Sequence, residues 1–222
     1  MLGLRVLQGA AYITFALLTT AMLIDIAQGA TRIGPIWALP LIALAAWIAA
    51  DFVSGFVHFL ADNFGSPDTP IVGKAFILTF REHHRDPTGI TRNPFLIANG
   101  GNCLVTVPPL ALVWLFVDID DTRGGYLFGA FWLLFSIAIF LTNQFHKYAH
   151  LDEVPSWVAW LQSHHLVLSK EHHDIHHISP FDTYYCITVG WWNPFLERIR
   201  FFERTEKALR RLPWVSSHRV DT

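Results

Sequence analysis

The chain has 222 residues, of which 52% are hydrophobic and 15% charged, and its formal net charge at pH 7 is -2. This composition is too apolar for an ordinary soluble domain, and the charge balance argues against a nucleic-acid binder. The two cysteines, Cys103 and Cys186, are far apart and indicate neither a disulfide scaffold nor a zinc ribbon. We therefore expect one membrane-embedded domain over residues 1–222, in which any bound metal is held by histidine.

Four apolar runs, at about residues 6–27, 35–60, 103–117 and 126–145, predict four transmembrane helices. A helix rises about 1.5 Å per residue, so roughly 20 residues cross the hydrocarbon core. The first run has no clean small-residue cleavage site and precedes further apolar runs, so we expect a retained span rather than a signal peptide. The third is the weakest because it is short and contains Pro108 and Pro109. The prediction is an all-α integral membrane protein with a histidine-rich helical cap formed by residues 61–102 and 146–222.

The distribution of basic residues predicts which side of the membrane carries this cap. With four spans, only Arg32 and Arg123 of the 16 lysines and arginines fall on the opposite side. The positive-inside rule therefore predicts a cytoplasmic cap. Three spans would instead send His146 to the other surface, away from His58, and would divide the histidines.

The segment 197–212 mixes six basic residues with aromatic and aliphatic ones. Two interpretations are open for it. It is either a basic amphipathic helix resting on anionic lipid headgroups or a solvated terminal helix.

Most of the 12 histidines lie where apolar runs end. On a helix, His58 with Asp62 and His146 with His150 would share a face. In the run 171–177 the four imidazoles would span an arc of about 140°, wide enough to reach two metal ions. Imidazole with a little carboxylate suits iron, zinc, copper or nickel, and about ten candidate ligands exceed what one tetrahedral ion uses, which favours a dinuclear site.

Two further expectations concern the surroundings of these histidines. Isolated residues such as His164 and His218 are more typical of capping or interfacial positions than of metal ligands. Nearby carboxylates are expected to orient the ligand rings through their second nitrogens. The candidates for this role are Asp51, Glu82, Asp86, Asp152, Glu171 and Asp174.

Several longer motifs resemble one family. The spacing H-x-x-H-H at His173, His176 and His177 resembles a histidine box of the integral-membrane di-iron desaturases and hydroxylases. The strings REHHRDPTGITR (81–92), NCLVT (102–106), TNQFHK (142–147), HHDIHHISP (172–180) and TYYCIT (183–188) are similar to the plasmanylethanolamine desaturases, also called the Kua group. The similarity runs from about residue 51 to residue 203.

The resemblance implies an oxidoreductase with two iron ions and O2 as co-substrate, which introduces the vinyl ether double bond of a plasmalogen into an alkyl ether phospholipid. A separate electron donor of the cytochrome b5 or ferredoxin type is implied, since no dinucleotide-binding motif is present. By the family's pattern, the iron site or its immediate support comprises His58, Asp62, His83, His84, His146, His150, His165, His172, His173, His176 and His177. Phosphate contacts are expected from Arg81, Arg85, Arg92 and Lys147, although their charges also fit the positive-inside pattern.

Three alternatives remain open from the sequence. An acyl-lipid desaturase acting near the carboxyl end of a phospholipid acyl chain has the same histidine layout, and a membrane hydroxylase uses the same di-iron unit. A histidine-lined metal transporter or sensor is a different class, but transporters place ligands near the bilayer midplane. Here the midplane regions of the second and fourth spans are apolar, which disfavours a transporter.

Overall fold

The computed structural model describes residues 2–70 and 73–212, and within these ranges it is helical and contains no strand. His218, expected at an isolated position, lies outside the described residues. We number the α-helices α1 (Leu2–Arg32), α2 (Leu39–Asn63), α3 (Leu78–Arg85), α4 (Phe95–Phe116), α5 (Arg123–Ala149), α6 (Ser156–Ser163), α7 (Lys170–Asp174), α8 (Asn193–Arg198) and α9 (Phe201–Leu209). Short 3-10 helices precede α2 (Ile36–Ala38) and α4 (Pro87–Arg92), and a π-helical turn (Gly73–Ile77) leads into α3.

Four helical segments are long and apolar enough to cross a membrane: Arg5–Arg32, Ile36–Asn63, Phe95–Phe116 and Arg123–Ala149. The number of candidate spans expected from the sequence is therefore confirmed. The third is longer than predicted because α4 begins at Phe95, eight residues before the predicted start, and continues through both prolines. Large apolar side chains along these helices, such as Ile13, Leu17 and Leu112, remain exposed, as a lipid-facing surface requires.

The described residues form two compact units. The first contains the chain up to Ala50 and Phe95–Gln144. Its core is apolar and includes Met22, Leu110 and Leu133. Polar side chains also join its helices, since the Asn102 amide donates to the carbonyl of Ile139 at 2.7 Å and the Asn143 amide donates to that of Ala98 at 2.8 Å. These bonds satisfy polar groups inside apolar helices, where unpaired groups are costly.

The second unit contains Asp51–Pro94 and the chain from Phe145 onward. It holds the histidine-rich cap except for residues 95–102, which belong to α4 and not to the cap as predicted. Its apolar cluster is built from Phe59, Tyr185, Cys186, Leu196 and Phe202. The segment 185–192 contacts the C-terminal half of α2, from Asp51 to Asn63.

Gly55 is required where this segment meets α2. A Cβ at Gly55 would overlap Sγ of Cys186 and lie 2.9 Å from the Cys186 backbone nitrogen. We expect Gly55→Ala to lower the free energy of unfolding by about 1–3 kcal/mol through overpacking, measured as a lower thermal midpoint in detergent. Gly101→Ala is the matched control, because a Cβ there meets no heavy atom within 4 Å. An unchanged midpoint for Gly55→Ala would show that the contact is not tight.

Candidate metal centre

One face of α2 positions both the ligands and the segment that supports them. Asp51, Ser54, His58 and Asp62 recur at intervals of three or four residues and so share a helix face. The buried Asp51 carboxylate accepts hydrogen bonds from the backbone N–H groups of residues 189, 190 and 192, at 2.8, 2.8 and 3.2 Å. Ser54 Oγ accepts from the N–H of Ile187 at 3.1 Å. Asp51 therefore binds the backbone of segment 189–192. The prediction that it orients a histidine ring is wrong.

Five histidines form a first group, which we call the five-histidine group: His83, His146, His150, His173 and His177. The Nε2 atoms of His146 and His173 lie 2.8 Å apart, those of His150 and His146 3.2 Å, and those of His177 and His173 3.1 Å. The His83 ring closes the group, with centroids 4.5 Å from both His146 and His150. One ligand atom from each residue lies within 4.8 Å of all the others, so the group could hold a metal ion.

Three histidines and one carboxylate form a second group, the histidine–aspartate group: His58, Asp62, His84 and His176. Asp62 Oδ2 lies 3.2 Å from Nε2 of His58, 3.1 Å from that of His84 and 3.8 Å from that of His176. Nε2 of His58 and Nε2 of His176 are 3.2 Å apart. This group could hold a second ion.

The two groups are neighbours within the second unit. The ring centroids of His84 and His177 are 5.4 Å apart, and those of His176 and His177 are 5.5 Å apart. Adjacent residues of one motif therefore serve different groups, since His176 belongs to the histidine–aspartate group and His177 to the five-histidine group.

Backbone carbonyls orient two of the ligand rings. Nδ1–H of His58 donates to the carbonyl of Tyr185 at 3.1 Å, and Nδ1–H of His176 donates to that of Thr183 at 2.7 Å. Because a carbonyl only accepts, the Nε2 lone pair of each neutral ring points into the group. The expectation that carboxylates orient these two rings is wrong. A backbone acceptor could not be located from sequence, since every residue carries one.

Burial keeps five of the cap histidines neutral. It lowers the pKa of His150 to about 4 and of His177 to about 3, and it holds the pKa of His83, His173 and His176 below the ordinary value. Neighbouring imidazoles lower these pKa values further, and at His150 the Lys170 ammonium has a larger effect than any imidazole. Neutral imidazole is the form that binds metal ions, so the rings are ready to act as ligands at neutral pH.

The arrangement fits bound metal better than a hydrogen-bonded polar cluster. The His58 and His176 lone pairs face each other, and two acceptors at that separation repel unless a cation lies between them. Nitrogens that share one ion at about 2.1 Å lie about 3.0–3.4 Å apart, close to the Nε2 separations in both groups. Buried Asp62 Oδ1 and His83 Nε2 have no hydrogen-bond partner among the described residues. A cation at each group would satisfy these donor sets.

Two predicted site residues, His165 and His172, lie outside both groups. Helix α7 ends at Asp174, so the run 171–177 is not one helix. Nε2 of His172 accepts from the Asn193 amide at 3.1 Å. Both residues line a half-open cavity of about 280 Å³ with Ser169 and Trp191. Their assignment as ligands or support stays a prediction.

Of the four cations expected to contact phosphate, three bind other groups of the protein and one is exposed to solvent. Arg81 Nη2 donates to the carbonyl of Gly65 at 3.0 Å, and Lys147 Nζ donates to that of Asn93 at 2.6 Å. Arg92 pairs with Asp86, while Arg85 is exposed. Their phosphate role stays a prediction.

His164, expected to be an isolated capping or interfacial residue, lies at the C-terminal end of α6. Its Nδ1–H donates to the carbonyl of Trp160 at 2.8 Å, and its ring lies 4.3 Å from the Trp160 ring. His164 therefore serves as a control position for substitutions at the metal groups.

Comparison with known proteins matches this chain to one family. The lipid desaturase domain matches residues 47–218. The plasmanylethanolamine desaturase of Myxococcus xanthus is 41% identical over 208 residues, which cover 93% of this chain and 72% of that protein. Plasmanylethanolamine desaturase 1 of Mus musculus is 47% identical over 180 residues, covering 78% and 66%.

A more distant relative carries a different name. Fatty acid desaturase 4, chloroplastic, of Arabidopsis thaliana is 35% identical over 164 residues, covering 73% of this chain and 49% of that protein. The chain thus spans about two thirds of the mouse protein and about half of the Arabidopsis protein. No solved structure matches it. The chain belongs to the lipid desaturase family of membrane oxidoreductases, as its histidine motifs predicted.

Proposed function

We propose that this protein is an O2-dependent di-iron desaturase that converts an alkyl ether phospholipid, plasmanylethanolamine, into the vinyl ether plasmalogen. The observation that carries the proposal is the pair of adjacent metal-binding groups, combined with relatives that bear the name plasmanylethanolamine desaturase. Iron is the metal by family resemblance, because imidazole with one carboxylate does not by itself distinguish iron from zinc, copper or nickel.

The protein's own residues would hold two ions in unequal surroundings. The five-histidine group offers neutral ligands, whereas Asp62 brings one negative charge to the histidine–aspartate group. Bound iron would supply, with O2, the oxidising power to remove hydrogen from an unactivated methylene. The tertiary fold supplies the orientation, since the carbonyls of Tyr185 and Thr183 direct the Nε2 atoms of His58 and His176. Burial of His146, His173 and His176 keeps bulk water away from the ligand atoms.

The proposal extends to orientation, phosphate contacts and partners. The cap lies on the cytoplasmic side, which the basic-residue distribution supports. Arg81, Arg85, Arg92 and Lys147 contact the lipid phosphate, with Arg85 the most accessible, since the other three must exchange a present bond. The residues 1–222 act as one desaturase domain, His165 and His172 support the iron site, and electrons come from a separate carrier.

Lipid analysis tests the activity. Purified iron-loaded protein in nanodiscs with 1-O-alkyl-2-acyl phosphoethanolamine, O2 and a reduced carrier is expected to yield an acid-labile vinyl ether, detected by mass spectrometry before and after acid. Omission of O2 is the control and should yield none. A product that keeps its mass after acid treatment and carries the new double bond in its acyl chain would replace this proposal with an acyl-lipid desaturase. The relative named fatty acid desaturase 4 favours that second candidate. A product that gains oxygen would identify a hydroxylase.

A further inference from the structure

Helix α9 buries its apolar side inside the protein. Phe202 is buried, and Leu209 is half-buried on the same helix face. Both pack against the cluster that includes Phe59 and Tyr185. A membrane-surface helix needs its apolar face free to enter the headgroup region. The apolar face of α9 is instead packed against the protein's own core. Only its polar outer face is available to a partner, and binding there would depend on charge.

That outer face carries a row of cations. Arg204 and Lys207 lie three residues apart on this face of α9, while Arg200 directly precedes the helix and Arg211 follows its end by two residues. All four are exposed. We call them the basic stripe. Glu203 pairs with Arg200 and Lys207 at 2.5 Å each, which leaves the stripe with a net positive charge. A basic surface of this kind attracts a partner with an acidic face and accelerates its association.

Aromatic contacts lead from α9 to the histidine–aspartate group. The ring centroids of Phe202 and Tyr185 are 4.8 Å apart. The Tyr185 ring lies 5.1 Å from His176 and 5.6 Å from His58, and the Tyr185 carbonyl also accepts the His58 Nδ1–H bond. Electron tunnelling weakens steeply across gaps and is favoured through bonded atoms and rings in contact. Tyr185 provides both kinds of path to the ligand rings.

We propose that the basic stripe docks a one-electron carrier protein with an acidic face and that its electrons reach the metal centre through Phe202 and Tyr185. This inference rests on the proposed function, because the proposed reaction needs two electrons that the lipid substrate does not supply.

Forming one C=C bond breaks two C–H bonds and releases two electrons and two protons. Reducing O2 to two waters takes four of each. Two carriers therefore each give one electron and are oxidised, and solvent supplies two protons; no bond to Tyr185 forms or breaks.

Charge substitutions test the docking surface without any lipid substrate. The measurement is the anaerobic rate at which iron-loaded protein in nanodiscs oxidises the reduced soluble haem domain of cytochrome b5, an acidic one-electron carrier. The variant Arg204→Gln, Lys207→Gln, Arg211→Gln is expected to slow this rate by about 10-fold at low salt and to flatten its salt dependence. Reduction by dithionite should not change. The control variant Lys74→Gln, Arg123→Gln removes exposed cations elsewhere and should transfer electrons at the parent rate.

Lipid composition separates a carrier from an anionic membrane as the occupant of the basic stripe. A carrier site predicts the same loss in nanodiscs of phosphatidylcholine alone and of phosphatidylcholine with phosphatidylglycerol. A loss confined to the anionic discs would mean that the stripe binds headgroups, and the docking proposal would be wrong. An unchanged rate in both would also overturn it.

Ring substitutions test the path. Tyr185→Leu and Phe202→Leu are expected to slow oxidation of the carrier several-fold at unchanged iron content, whereas Tyr185→Phe, which keeps the ring, should retain the parent rate. Phe59→Leu is the matched control, because it removes a buried ring of the same apolar cluster. The centroid of the Phe59 ring lies 5.0 Å from that of Phe202. Parent-like transfer by Tyr185→Leu would exclude the ring path.

The same measurement separates this inference from the proposed function. A wrong lipid substrate leaves carrier oxidation unaffected. If dithionite reduces the parent protein but the carrier does not, the docking proposal alone fails. If neither reagent reduces it, the redox-metal assignment fails, and the docking proposal fails with it.

Discussion

Replacing His173 by alanine is expected to abolish desaturation and to release metal from the five-histidine group. Its Nε2 lies 2.8 Å from that of His146 and 3.1 Å from that of His177, so it is the shared neighbour of two other ligand atoms. Changes to groups that only support a metal ligand cost about 10–100-fold in affinity or activity, and loss of a ligand should exceed about 100-fold. Vinyl ether formation by mass spectrometry and iron content by elemental analysis measure the two effects.

His164→Ala is the control for this prediction. His164 is exposed, and its ring lies 4.3 Å from Trp160 at the end of α6, outside both metal groups. It should retain parent activity and iron. Undiminished vinyl ether production by His173→Ala would remove His173 from the proposed ligand set.

Removing the Asp51 carboxylate is expected to destabilise the histidine-rich cap strongly, because that carboxylate accepts three backbone hydrogen bonds. Asp51→Ala leaves the N–H groups of residues 189, 190 and 192 buried without their acceptor. An unsatisfied buried donor costs about 1–3 kcal/mol, so we expect a loss of about 3–5 kcal/mol in the free energy of unfolding. The thermal midpoint in detergent should fall by roughly 10 °C.

Two variants sharpen the Asp51 prediction. Asp51→Asn keeps one acceptor oxygen and should lose less than Asp51→Ala. Asp152→Ala is the control, because that carboxylate is 94% exposed and its nearest cation, Lys170, is 3.8 Å away. Such a surface pair contributes little. A midpoint for Asp51→Ala within a degree or so of the control would mean that segment 185–192 is held by packing alone.

The features that the sequence predicts correctly are those that depend on residues close together along the chain. Spans can be predicted because roughly 20 apolar residues and a 1.5 Å rise decide whether a helix crosses a bilayer. Helical spacing likewise predicts the pairs His58 with Asp62 and His146 with His150. It failed for the run 171–177, where α7 ends at Asp174 and the four histidines divide among different surroundings.

Composition, hydropathy and motif spacing are properties of the chain, and they were sufficient to predict the membrane class, the four candidate spans, the family and the number of imidazoles available as ligands. The fold, in contrast, divides these imidazoles between a five-histidine group and a histidine–aspartate group. It also decided that backbone carbonyls orient His58 and His176, and that Asp51 binds amides instead of a ring. Ligand grouping and hydrogen-bond partners depend on contacts between segments that are distant in sequence, such as His83 with His146 and Asp51 with Val189. No local pattern encodes those contacts.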